Sequence, residues 1–168
     1  MDRYQNLMQS LTGDTGEVVL QFFVCFSRFE YALKRAGYLS PKKPYAEADW
    51  KSFAEKLETS LANITDIQFV KAKTYLLKRP PQKLMRNSDN SLEWGDNKQN
   101  GESETVYLLS LVRSVRNNLF HGGKYPHNSV SGQALRNREL LQHCLTILET
   151  CLSVDDKVSR YFEDLYDE

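Results

Sequence analysis

Between Gly16 and Gly37 the residues Phe22, Phe23, Phe26, Phe29, Leu33 and Ala36 recur every three or four positions. That spacing lines one side of a helix and neither side of a strand. A helix over Glu17 to Ala36, stopping at Gly37, therefore carries a wide aromatic face. Such a face is stable only when other elements cover it. The aromatics read as core, and the chain must supply partners for them.

The rest of the chain supplies helical patterns. Residues 1 to 15 read as a short helix or arm. Tyr38 to Tyr45 holds Pro41 and Pro44 and reads as a loop. Asp49 is placed to cap a helix from Trp50 to about Ala62, with Trp50, Phe53, Ala54, Leu57 and Leu61 on one side. A further helix spans Ile67 to Leu77 and ends before Pro80-Pro81. Arg86 to Ser103 is polar and reads as a long surface loop. Ser103 or Asn100 caps the next helix, Glu104 to about His121, with Leu108, Leu111, Val112, Val115 and Leu119 as its stripe. A last helical region runs from Gly132 to Ser153 and continues toward Tyr166 as a helix or a short extra one. No convincing strand is seen. The expected class is all-α: an antiparallel bundle of about five helices, forming a single domain over residues 1–168.

Composition fits a globular chain: 40% apolar and 26% charged residues, with only 8 Gly and 5 Pro in 168 residues. The formal net charge is zero, so a nucleic-acid surface would have to be local. Cys25, Cys144 and Cys151 are sparse and contain no C-x-x-C, as in a reduced, cytoplasmic protein. The polar N-terminus does not read as a secretory signal, and the apolar run Val18 to Phe26 is too short to span a bilayer. No membrane association is expected.

The local basic stretch is Lys71, Lys73, Lys78, Arg79, Lys83 and Arg86, with no acid between its ends. It is either a track for phosphates or a solvated helix face. The acids of the tail, Asp155, Asp156, Glu163, Asp164, Asp167 and Glu168, read as solvated. No Cys/His cluster has zinc spacing, Gly122-Gly123-Lys124 is not a P-loop, and no Gly-x-Ser-x-Gly occurs. No metal or cofactor is expected.

What remains is V-R-N-N-L-F-H-G-G-K-Y, Val115 to Tyr125. On an ideal helix Leu109, Val112, Leu119 and Phe120 fall within roughly 60° of Arg116, which places the arginine in an apolar arc. It must then be paired, or face a ligand or another subunit. Glu30 is a candidate partner, and Arg113 and Asn117 flank the same side. His121 falls about 140° away, so the two converge only if the helix loosens or a second subunit brings its own His121. Two readings stay open. Arg116 and His121 hold a phosphate and move a proton, or Arg116 pairs with Glu30 and His121 caps the helix.

R-N-N-L-F-H (Arg116 to His121) resembles the R-x4-6-H motif of HEPN domains, including the asparagine after the arginine. F-S-R-F-E-Y-A-L-K-R-A-G-Y (Phe26 to Tyr38) resembles the opening helix of HEPN proteins, above all a small stand-alone, plasmid-borne subgroup. The stretch Lys42 to Ser103 carries no matching signature. The resemblance implies a helical homodimer with two motif copies facing each other through the motif helix. It implies a metal-independent endoribonuclease in toxin–antitoxin or anti-phage systems, with RNA as substrate and an antitoxin or defence-system protein as a further partner. Arg116 would neutralise the scissile phosphate. His121 would move protons at the ribose 2′-OH or the leaving oxygen. Asn117 and Arg113 would support them, and Glu30 would hold Arg116. Lys71, Lys73, Lys78, Arg79 and Lys124 are candidate RNA contacts. Other members of the family bind nucleotides, nucleic acid or partner proteins without cutting.

Overall fold

A computed structural model describes residues 16–41, 44–120 and 131–164. These residues form six helices and one small hairpin: α1 (Gly16–Arg35), α2 (Trp50–Ala62), α3 (Ile67–Lys78), β1 (Lys83–Arg86), β2 (Leu92–Gly95), α4 (Glu104–Phe120), α5 (Ser131–Val154) and α6 (Asp156–Glu163). The fold is mostly helical, as the spacing implies. The expected helix or arm over residues 1 to 15 lies outside the described residues.

Local chemistry sets several helix ends. α1 stops where Gly37 takes φ +95°. There the Gly37 N–H bonds the Lys34 carbonyl at 3.1 Å and the Tyr38 N–H bonds the Leu33 carbonyl at 3.0 Å, a Schellman ending. Asp49 caps α2 through the Ser52 N–H at 3.1 Å, as expected. Asp66 caps α3 through the N–H groups of Gln68 and Phe69, at 3.0 and 2.9 Å.

The expected aromatic face of α1 is the centre of the core. Phe22, Phe26, Phe29 and Leu33 are buried, in one apolar cluster that includes residues of all six helices, whereas Phe23, at the edge of that face, is exposed. α1 packs on α5 and α6, α2 on α4, and α3 on α5. Phe26 and Phe29 both stack on Trp50, with centroids at 5.2 and 5.3 Å. Phe53 meets Phe29 edge-on. No helix among the described residues is long and apolar enough to cross a membrane.

Two expectations are corrected. The first concerns Arg86 to Ser103, read as a loop in a chain without strands. β1 and β2 pair antiparallel here, with Lys83 opposite Gly95, Leu84 opposite Trp94, Met85 opposite Glu93 and Arg86 opposite Leu92. The strands are four residues long and contain no β-branched residue, so no alternating run announces them. The turn did carry a signal: Asn87 to Ser91 is N-S-D-N-S, Asn90 takes φ +67°, and Asp89 accepts the Ser91 N–H at 2.9 Å. A lone hairpin is marginal in water, and this one leans on α4, where Asn118 Nδ2 donates to the Gln82 carbonyl at 2.9 Å. Just beyond β2, Asn97 is buried, donates to Ser114 Oγ at 3.0 Å and accepts the Tyr107 hydroxyl on its carbonyl at 2.6 Å.

The second correction concerns the acidic tail. Asp155 is buried rather than solvated. It breaks the last helical region into α5 and α6 and caps α6 through the Val158 N–H at 3.0 Å. Its other oxygen accepts from Lys56 Nζ at 3.0 Å and the Tyr38 hydroxyl at 3.1 Å. Arg28 holds the far end of α6, donating to the carbonyls of Phe162 and Tyr161 at 2.8 and 2.9 Å. These contacts join the last short helix to α1 and α2.

Candidate functional site

Arg116 lies near the end of α4. Its neighbours on the apolar side, Leu109 and Val112, are buried, while Arg113 and Asn117 are exposed. Arg116 thus stands at the margin of the buried arc, not within it as the ideal-helix angles suggested. The reason is that the packed face of α4 is centred on Leu108, Leu111 and Val115, which turns Arg116 toward α1.

Among the described residues, Glu30, Asn117 and Phe26 hold the guanidinium. Nη2 lies 3.9 Å from Glu30 Oε2, Nη1 donates to Asn117 Oδ1 at 3.0 Å, and Cζ sits 5.5 Å from the centroid of the Phe26 ring. The charge is therefore compensated on one side and supported by a π-face below. Arg116 and Glu30 keep 36% and 31% of their side-chain surface exposed. A pair at this depth is modest in energy, and its value lies in fixing a rotamer.

Glu30 is itself fixed. Its Oε1 accepts the Trp50 indole N–H at 3.1 Å. Trp50 is buried, and an indole N–H in that setting requires an acceptor. The result is a relay from the core to the surface: Trp50 on α2, Glu30 on α1, Arg116 and Asn117 on α4. Sequence reasoning placed Trp50 on the core face of its helix and missed this bond. The unsatisfied indole donor was the one available signal.

The other expected residues divide. Arg113 is exposed and contributes no contact to this group among the described residues. His121 and Lys124 lie outside the described residues. On α3, Lys73 pairs with Glu104 at 3.1 Å and lies 5.9 Å from the Phe69 ring centroid. Arg79 lies over the ring of Tyr75, whose hydroxyl donates to Glu139 Oε2 at 2.9 Å. The basic stretch contains no acid in sequence, but the fold brings Glu104 and Glu139 against it. Lys71 and Lys78 share its solvent side, and both are exposed.

His143, read as structural, sits with its ring centroid 4.4 Å from that of Tyr75. Burial and then the Lys71 charge push its pKa down, against an opposing pull from Glu139. Among the described residues no group of three or more His, Cys, Asp or Glu side chains is arranged to hold a metal ion. Compared with known proteins, the chain matches no family model, no curated protein and no solved structure.

Proposed function

We propose that this protein is a metal-independent endoribonuclease of HEPN type, acting as a homodimer in a toxin–antitoxin or anti-phage setting. The observation that carries the reading is the Arg116 group. Its guanidinium is held by Glu30, Asn117 and Phe26, and about a third of the Arg116 side-chain surface is exposed. Preorganised cationic donors of this kind stabilise the charge that develops on a phosphate during transesterification. Support also comes from the R-N-N-L-F-H spacing, which puts a histidine directly after the last described residue of α4.

In this mechanism Arg116 holds the scissile phosphate and Asn117 orients the guanidinium. His121 removes the proton of the ribose 2′-OH. The 2′-oxygen bonds to phosphorus as the bond from phosphorus to the 5′-oxygen breaks. The partner subunit's His121 delivers a proton to that leaving oxygen. The products are a 2′,3′-cyclic phosphate and a 5′-hydroxyl. Glu30 is a positioning residue that acts through Arg116.

A second reading rests on the same ion pair. Glu30 already balances Arg116, which suits a non-catalytic HEPN module that binds RNA, nucleotides or a partner protein. Cleavage of end-labelled single-stranded RNA in excess EDTA separates the two. The enzyme reading expects wild-type cutting with cyclic-phosphate ends and a loss of about 10²–10⁴ in rate for His121→Ala. Equal behaviour of wild type and His121→Ala, on several RNAs, refutes it and favours the binding module.

A further inference from the structure

The hairpin forms one wall of a cleft of about 370 Å³ against α4. That volume lies at the lower end of the range of roughly 300–1,000 Å³ seen for small-molecule sites. Its lining combines several kinds of group. Trp94 supplies an aromatic surface, its cross-strand partner Leu84 an apolar one, Asn117 and Asn118 two carboxamides, and Lys83 and Met85, on the other face of the hairpin, border the cleft with a cation and a thioether. Leu84 and Met85 remain exposed although they belong to an ordered pair of strands.

This combination fits one chemical class well. A nucleobase has a π-face that stacks on an aromatic ring whatever its identity. Its edge carries donors and acceptors that a carboxamide can match with its own adjacent donor and acceptor. The phosphate attached to it asks for a cation, and Lys83 borders the cleft on a long, flexible side chain. The cleft also lies next to the proposed phosphate site. Asn117 belongs to both: it lines the cleft, and its Oδ1 accepts from Arg116 Nη1 at 3.0 Å. A base in the cleft would therefore be joined to a phosphate beside Arg116.

The site is built before any ligand arrives. Asn118 is held by the Gln82 carbonyl. The segment after β2 is fastened to α4 through Asn97, Ser114 and Tyr107. Gly95 lets Met85 close over the strand, since a Cβ at position 95 would lie 2.7 Å from Met85 Cγ. We infer that the cleft between the hairpin and α4 is a nucleobase subsite of RNA, with Trp94 stacking the base and Asn117 and Asn118 reading its edge. It would set the base preference next to the phosphate held by Arg116. The inference rests on the RNA reading of the Arg116 site and adds a specificity element to it.

The test separates binding from cutting. Short 2′-O-methyl homopolymers of A, U and C, five nucleotides long, lack the attacking hydroxyl, so they report binding alone. Trp50 is buried in the core, so a base stacking on Trp94 is read as quenching of the wild-type tryptophan fluorescence, with no substitution required. End-labelled anisotropy gives affinity independently. Quenching is expected, with unequal affinity among the three homopolymers. Trp94→Leu should weaken binding about tenfold or more and level the preference, the loss expected for one stacked base. Trp94→Phe should retain most of the affinity, and urea melting confirms the fold of both.

The absence of quenching and binding in wild type overturns the subsite. So does a folded Trp94→Leu protein with unchanged affinity and preference. If the wild type cuts ordinary RNA and Trp94→Leu cuts at the same positions, the subsite fails while the ribonuclease reading stands. If Trp94-dependent binding occurs without cutting, the subsite stands and the ribonuclease reading fails.

Discussion

Replacing Asp155 by alanine should be among the most damaging single changes outside the aromatic core. Its side chain is only 2% exposed and serves three donors from three parts of the chain. The Val158 N–H bond is a helix N-cap, and its loss costs about 1 kcal/mol. The bond from the half-buried Tyr38 hydroxyl goes to an ionised acceptor, and its loss costs about 1.5–3 kcal/mol. Lys56 is 58% exposed and can return to water, so its pairing adds less than about 1 kcal/mol. The expected total is about 3 kcal/mol, or a fall in Tm of roughly 6–12 °C for a chain of this size.

Asp155→Asn keeps a good cap and should lose only about 1 kcal/mol. The carboxyl also sets a pH dependence. Burial alone would raise its pKa, but the Val158 amide, the Lys56 ammonium and the Tyr38 hydroxyl together hold it below the ordinary aspartate value. A group whose pKa is lowered by folding contributes fully above its unfolded pKa, about 3.9, and loses that contribution as pH falls through the folded value. The gap between wild type and Asp155→Ala should be full at about pH 7 and shrink below about pH 4. Urea unfolding at both pH values, with the exposed neighbour variant Asp156→Ala as control, measures it. An Asp155→Ala midpoint equal to that of Asp156→Ala, or a gap that does not narrow in acid, would refute the reasoning.

Glu30→Gln keeps an acceptor for the Trp50 indole but removes the charge facing Arg116. Stability should change by less than about 1 kcal/mol, while RNA cleavage falls about ten- to a hundredfold, chiefly in kcat, as the guanidinium loses its position. Equal kcat in a folded variant would remove Glu30 from the site. The thiols should be inert in the native protein. Burial and the nearby Glu149 carboxylate push Cys25 up to about 11, burial and then Asp155 push Cys151 up to about 12, and burial raises Cys144 further. A thiol reagent at about pH 8 should therefore label all three only after unfolding in urea, and rapid native labelling would contradict the packing. Together with the His121→Ala and Trp94 experiments, these measurements cover the core, the relay and both proposed parts of the site.

The helices were legible in the residues because their causes are local. Apolar spacing of three and four, Asp49 before Trp50, and Gly37 after Ala36 each act within a turn of chain, and the ends they imply agree closely with those observed. Arg116 was legible as an anomaly for the same reason: a permanent charge beside buried Leu109 and Val112 requires a partner. Glu30 could be named as a candidate, but 86 positions separate the two, so only the packing of α1 against the rest of the core could set the 3.9 Å approach. The same holds for what was missed. Asp155 carries no sequence mark that distinguishes it from Asp156; burial between α2, α6 and the loop after α1 makes one a keystone and leaves the other in water. The hairpin is too short and too poor in β-branched residues to declare itself, and it gains its order from Gln82 and the α4 surface. Periodicity and caps determined where the chain is helical. Contacts between residues distant in sequence decided which charges are paired, which acid is buried, and that a cleft with Trp94 lies beside Arg116.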